Sequence, residues 1–328
     1  MDIFLQQIIN GLTLGCVYAV VALGYTMVYG IIQLINFAHG EVVMIGAMVA
    51  FSVIMALAKS GLPPIVVVLI GTAVAVPACM LVAYLMERVA YKPLRSAPRL
   101  APLITAIGIS IILQHVAMMI WGRSPMAFPQ IIKVETYEIG GALITSVQIA
   151  IILTSFALMG ALLLLVYRTK LGVAMRATSQ RQDIAGLMGI DVNRVISATF
   201  VIGAALAAVA GVMIGTYYGQ TQYTMGELLG LKAFCAAVLG GIGNLAGAVL
   251  GGILIGLIEA FGAGYMGDVT NVCFLNQWLP GFSGLCEANA NGSLFGSNYK
   301  DVYAFIVLIL VLVFRPQGLL GERVSDRA

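Results

Sequence analysis

The chain of 328 residues is 61% hydrophobic and only 9% charged, against about 25% charged in ordinary soluble domains. Apolar runs long enough to cross a bilayer recur along the sequence. That excludes a soluble domain, and it also excludes a transmembrane barrel, whose segments would alternate over about ten residues. The net charge of +3 comes from loops, so it bears on orientation and not on nucleic acid. The fold class is an all-α, polytopic transmembrane helical bundle of about 8 membrane segments, a single domain over residues 1–328.

Met1-Asp2-Ile3-Phe4 has no basic n-region, and no small-residue cleavage site follows in the right place. The first apolar segment, Phe4 to Tyr29, is therefore expected to be a retained span rather than a signal peptide. The second, Phe37 to Leu57, begins in Asn36-Phe37-Ala38-His39-Gly40-Glu41. An ionisable residue at membrane depth is a functional candidate by default, whereas at an interface the same residues cap and brace helix ends. Asn36, His39 and Glu41 are thus candidates for a transport path, with the bracing role still open. A third span, Ile65 to Glu87, leads into the basic cluster Arg88, Lys92, Arg95 and Arg99. Two more, Ala101 to Trp121 and Val147 to Tyr167, flank a connection with Arg123, Pro125, Pro129, Lys133, Glu135 and Glu138. His115, beside Gln114, reads as a satisfied histidine inside the bundle.

Residues 168–194 do not belong in a membrane. They hold Arg168, Lys170, Arg176, Arg181 and Arg194 among the chain's 17 Lys and Arg. Ser179 followed three residues later by Gln182 fits a capping box. Ile184, Leu187 and Met188 form an apolar stripe at helical spacing, and Gly189 supplies a stop. A short helix of this kind either docks a soluble partner or lies flat among headgroups. A third basic cluster follows at Arg315, Arg323 and Arg327. The positive-inside rule puts all three clusters in the cytoplasm, with the C-terminus there and the N-terminus outside.

Glycine makes up 38 of the 328 residues, above the usual ~7%. Gly203, Ala207, Gly211 and Gly215 fall on one face of the span Val195 to Tyr218, and Gly243, Gly247 and Gly251 repeat the spacing. Such ladders let helix backbones approach closely. Gly211→Leu should therefore not fit, while Gly211→Ala should be tolerated. Two apolar pieces, Leu228 to Leu239 and Ala246 to Phe261, flank Gly240-Gly241-Ile242-Gly243-Asn244. They make either two short full spans or a re-entrant pair of half-helices with the turn at membrane depth. Unwound backbone at depth is tolerated only inside protein or beside water. Gly240, Gly241, Gly243 and Asn244 are therefore candidates for the path. Lys232 is expected to snorkel near the outer face, and Glu259 has no obvious partner. Residues 262–301 read as an extracytoplasmic loop before the last span, Val302 to Phe314. Cys273 and Cys286 lie in that loop, where disulfides can form, and are a candidate pair. Cys16, Cys79 and Cys235 fall in apolar spans as small buried hydrophobes.

No catalytic site is expected. The two histidines lack metal-ligand spacing, so no metal is expected either. There is no nucleophile elbow and no phosphate loop. The chain should bind no cofactor of its own, and energy has to come from an ion gradient or another polypeptide. In-membrane acidic residues are scarce, which weighs against a self-sufficient channel or gradient-driven carrier.

Several co-linear stretches between Gly11 and Gly321 carry a resemblance: GYTMVYGIIQLINFAHGE (24–41), ERVAYKPLR (87–95), AIGISIILQ (106–114), FVIGAALAAVAGV (200–212), KAFCAAVLGGIGNLAGAVLGG (232–252) and RPQGLLG (315–321). The chain resembles the permease subunits of ABC importers for branched-chain amino acids, of the LivH type. The resemblance implies that the chain forms the translocation path of an ATP-driven importer in the bacterial inner membrane. It also implies a coupling helix over about Gln180 to Met188, seated on an ATPase through Gln180, Asp183, Ile184, Leu187 and Met188. The expected partners are a second homologous permease, two ATPase subunits that use the ATP, a periplasmic solute-binding protein and membrane lipids, with no nucleic acid. Similar permeases serve importers of urea or short amides, so that solute class stays an alternative. Residues 262–301 look longer than the family pattern, which puts the shape of the outer mouth in doubt.

Overall fold

The computed structural model describes residues 2–34, 36–95, 97–98, 100–129, 134–269, 299–315 and 317–321. Among them, seven helices are long and apolar enough to cross a membrane. These are α1 (Asp2–Ile32), α2 (His39–Leu57), α3 (Pro64–Met86), α4 (Leu100–Trp121), α5 (Ser146–Arg168), α8 (Val192–Tyr218) and α10 (Leu245–Val269). Two surface helices, α6 (Lys170–Gln180) and α7 (Gln182–Leu187), separate α5 from α8. Two shorter helices, α9 (Met225–Gly240, 16 residues) and α11 (Lys300–Phe314, 15 residues), complete a multi-pass membrane protein.

The described parts of the three basic clusters meet at one end of the bundle. Arg95 hydrogen-bonds Asn193, Gln182 reaches the last turn of α1, and the segment after Arg315 pairs with the turn after α9. The opposite end carries a small antiparallel hairpin, β1 (Thr136–Ile139) and β2 (Ala142–Thr145). Gly140 and Gly141 both take positive φ in its two-residue turn, as a mirror-image hairpin turn requires. Gln6 of α1 clamps the hairpin, donating to the Leu143 carbonyl (3.0 Å) and accepting from the Leu143 amide (2.9 Å). A capping box does form in this chain, but between Thr145 and Gln148 at the start of α5.

Small residues set the packing. The most extensive helix pair is α1 with α10. A Cβ on Gly256 would stand 2.2 Å from the Gly15 amide nitrogen, and one on Gly252 would stand 2.4 Å from that of Ala19. Gly247 and Gly251 face α9, where an added Cβ would stand 2.3 and 2.0 Å from the carbonyl oxygens of Gly240 and Ala236. Gly243 has no neighbour on that side, so it belongs to the turn and not to the ladder. On α8, a Cβ at Gly211 would lie 2.2 Å from the Val43 carbonyl oxygen of α2. The expected tolerance of Gly211→Ala is therefore wrong, because backbone leaves no room even for a methyl group.

Same-ladder alanines should separate. At Gly203 the nearest atoms to an added Cβ lie 3.6 Å away, an ordinary contact. Gly211→Ala should cost about 1–3 kcal/mol as overpacking, and Gly203→Ala close to nothing. Thermal unfolding of the detergent-solubilised protein measures both, and equal small shifts would mean that α2 and α8 are not in backbone contact.

Candidate functional site

The α1–α2 connection enters the bundle instead of crossing its end. After Ile32, Gln33 takes φ +57, the one positive φ among the described non-glycine residues. Asn36 is then held by Tyr91, whose hydroxyl donates to Asn36 Oδ1 at 2.8 Å. His39 opens α2 against Gly24, where a Cβ would stand 2.4 Å from His39 Nε2. Gly24 lies eight residues before the end of α1, so α2 begins roughly 12 Å inside the bundle at 1.5 Å per residue.

A second helix starts at the same level. Gly226, in the first turn of α9, packs on the Gly40 carbonyl, and its Cβ would meet Glu41 Oε2 at 2.7 Å. Gly230 packs on Gly40 and on the Tyr25 hydroxyl. Helix N-termini present free amides and about half a positive charge, which suits a carboxylate. Glu41 Oε1 accepts from Ser110 at 3.2 Å. Glu41 Oε2, His39 Nε2 and Asn36 Nδ2 are buried with no hydrogen-bond partner among the described residues. Each such group costs about 1–3 kcal/mol, so three together need an explanation. Asn36, His39 and Glu41 lie inside the protein and not at an interface.

The stretch ERVAYKPLR has a local reason. Residues Glu87–Tyr91 form a π-turn at the end of α3, followed by a 3₁₀ turn, Lys92–Leu94. The wider turn rotates Tyr91 inward to Asn36 and returns Arg95 to pair with the buried Glu87. Ser197 of α8 donates to the other Glu87 oxygen at 2.7 Å. π-turns are found at functional sites more often than chance, and this one braces the α1–α2 break. His115 is satisfied as expected, by the Ile111 carbonyl at 2.9 Å, but it lies on the exposed face of α4 and not in the bundle interior.

The glycine turn lies at the basic end of the bundle, against residues 318–321. With 25 residues, α10 is a full span, while α9 starts half-way and ends at the basic end. A short helix of 16 residues is thus followed by one of 25. Gly243 sits beside Gly30 in the last turns of α1, Gly240 against Gly247, and Gly241 against Gly321. The Leu319 and Leu320 amides donate to the Leu239 and Gly240 carbonyls (2.8 and 3.0 Å), and Asn244 Nδ2 donates to the Leu320 carbonyl (2.9 Å). Residues 317–321 of RPQGLLG are thus the strap that satisfies this turn's polar backbone.

Residues 168–194 fold as two helices, not one. Thr169 caps α6, accepting from the Gly172 amide at 3.1 Å. Ser179 lies within α6 and donates to the Arg176 carbonyl, so the capping box with Gln182 does not form. Gln180 ends α6, and α7 begins at Gln182 after an extended Arg181. Gly189 does close the helix, at φ +83. Ile184, Leu187 and Met188 are 48%, 87% and 79% exposed, three large apolar side chains on one short element, with Asp183 at its start. Cys273 and Cys286 lie outside the described residues.

Sequence reasoning missed one buried cluster. Lys232 does not snorkel. It is buried and donates to Glu259 Oε1 at 2.9 Å, with Asp301 Oδ1 at 2.5 Å. The Tyr18 hydroxyl donates to Glu259 Oε2 at 2.8 Å. Four helices, α1, α9, α10 and α11, meet on this one lysine. A charge at mid-membrane costs about 2.5–3.5 kcal/mol on insertion scales, and Lys232 sits only five residues after Glu227, which hid its depth. Lys232→Met would strand two carboxylates and should destabilise the bundle by about 3–5 kcal/mol. Glu259→Gln leaves a one-to-one pair and a carbonyl for Tyr18, so it should cost only about 1–2 kcal/mol. Chemical denaturation of the two variants checks the order.

The chain matches the family model described as branched-chain amino acid transport system, permease component, over residues 7–312. It is 45% identical over 324 residues to the high-affinity branched-chain amino acid transport system permease protein BraD of Pseudomonas aeruginosa, covering 97% of this chain and 96% of the relative. To LivH of Escherichia coli the identity is 42%, with the same coverage. To the probable LivH of Methanocaldococcus jannaschii it is 26% over 305 residues, 92% of this chain and 87% of the relative. No solved structure matches significantly. Full-length similarity to these relatives, carried on the helical bundle described above, shows that the chain belongs to the family of branched-chain amino acid transport permeases.

Proposed function

We propose that this chain is the permease subunit of an ATP-driven importer and forms the path for branched-chain amino acids handed over by a periplasmic binding protein. The solute is supported by relatives at 42–45% identity whose names specify branched-chain amino acids. The single observation that carries energy coupling is α7. Its Ile184, Leu187 and Met188 stand exposed beside one another at the basic end, where only a partner or a headgroup layer could cover them. Two ATPase subunits bind and hydrolyse ATP, one of them seated on α7, and a second, homologous permease completes the path. The basic end faces the cytoplasm of a cell with an inner membrane, by the positive-inside rule, and α1 begins outside.

Asn36, His39 and Glu41 line the path where the α2 and α9 N-termini meet. A polar constriction there, opened by helix movement, would give solute and water access to groups that are now unpartnered. The turn from Gly240 to Asn244 forms the inner mouth, held closed by its strap.

Leu187→Asp tests the docking surface. Burying an uncompensated carboxylate in an apolar contact costs upward of about 3 kcal/mol, more than a hundredfold in affinity. The variant should insert in the membrane normally yet lose its ATPase subunits on co-purification, and leucine uptake with them. Normal co-purification and uptake would refute α7 as the docking helix.

A further inference from the structure

The first residue of α7 is bonded to the end of α1. Gln182 Nε2 donates to the Ile31 carbonyl oxygen at 2.8 Å. That carbonyl is among the last four of α1, which no amide within the helix can satisfy. No other α7 side chain hydrogen-bonds to one of the seven long helices among the described residues. Immediately beyond Ile31 the backbone takes its left-handed turn at Gln33 and passes Asn36 to reach His39 and Glu41.

This junction is open on one side, unlike the helix pairs around it. A cleft of about 180 Å³ opens beside it, lined by Ile32, Gln33, Leu34, Arg95, Pro102 and Gln182 among others. Close-packed interiors resist displacement, so an unfilled space next to a strained turn marks where the chain can shift. The exposed stripe of α7 faces away from the bundle, and its polar first residue holds the bundle.

We infer that Gln182 is a positioning residue that transmits movement of α7 to the α1–α2 break. A displacement of the docked helix pulls on the Ile31 carbonyl and so re-aims Asn36, His39 and Glu41. Tyr91 holds the far side of the same break through Asn36, so the segment moves between two anchors. The inference rests on the proposed docking of an ATPase on α7. It assigns Gln182 a role distinct from docking, in coupling hydrolysis to movement.

The test uses the complete complex, permeases and ATPase subunits with the binding protein, reconstituted in liposomes. Leucine uptake and ATP hydrolysis are measured in the same vesicles. Gln182→Glu keeps the shape but sets an acceptor against an acceptor. Gln182→Lys restores a donor. Gln182→Glu should co-purify with the ATPase subunits and hydrolyse ATP within about twofold of the parent rate. Its leucine transported per ATP should fall at least about fivefold, and Gln182→Lys should recover to within about twofold. An unchanged ratio in Gln182→Glu overturns the inference. So does a Gln182→Lys as defective as Gln182→Glu, because the donor would then be irrelevant. If Gln182→Glu and Gln182→Ala both fail to assemble, the contact belongs to folding, and the inference is again overturned. Failure of the docking role itself shows separately, as normal co-purification of Leu187→Asp.

Discussion

Helices α1 and α10 touch backbone to backbone through Gly15, Ala19, Gly252 and Gly256, and α1 becomes the axis on which the rest of the bundle is hung. In lipid no hydrophobic effect drives helices together, so association depends on close packing and on polar contacts. Small residues on both helices allow that packing from Gly11 to Ala19 of α1. The other faces of α1 are then free for polar work. Tyr18 takes part in the Lys232 cluster, Gly24 admits the His39 ring, and the Ile31 carbonyl receives Gln182. Each of these contacts needs α1 fixed, and α10 fixes it.

The same constraint explains where the irregular backbone is allowed. Unpaired amides and carbonyls cannot face hydrocarbon. Among the described residues, the inner part of the α1–α2 break is held by protein, Asn36 by Tyr91 and His39 against Gly24. The start of α9 lies against Gly40. The turn after α9 is closed by backbone hydrogen bonds from residues 319 and 320. The burial of Lys232 follows from the short α9. A helix that begins half-way cannot bring its lysine to the far surface, so Glu259 and Asp301 come to the lysine.

The spans were legible because apolar length is a strong, local signal. The ends expected for Ala101 to Trp121 and Val147 to Tyr167 fall within one residue of α4 and α5. The exposed stripe of Ile184, Leu187 and Met188 and the stop at Gly189 were legible for the same reason, being set within a single turn. What failed was depth. Sequence gives the order of residues along a helix but not the level at which a neighbouring helix begins. Lys232 therefore looked like an interface residue, His39 could be placed either at an interface or in the path, and the two threadings of the glycine turn could not be told apart. The hairpin over residues 136–145 was missed although Gly140-Gly141 announces it, because strands of four residues leave little periodicity. The capping box was placed at Ser179 because Ser-x-x-Gln fits the pattern, yet Ser179 could also bond back to the Arg176 carbonyl and stay helical.

The short length of α7 makes its geometry a property of the bundle. Isolated helices under about 12–15 residues are marginal in water, and α7 has six. It stands because Ala185 is buried, Gly189 turns the chain, and Gln182 is tied to α1. The capped α6 holds it from the other side, seated on α1 and α8. An element with so little stability of its own cannot move independently and keep its shape. Whatever displaces the apolar stripe must therefore also displace its anchors, and the nearest anchor ends at the strained turn of Gln33. Presenting the partner surface on a helix too short to stand alone ties that surface mechanically to the polar break inside the bundle.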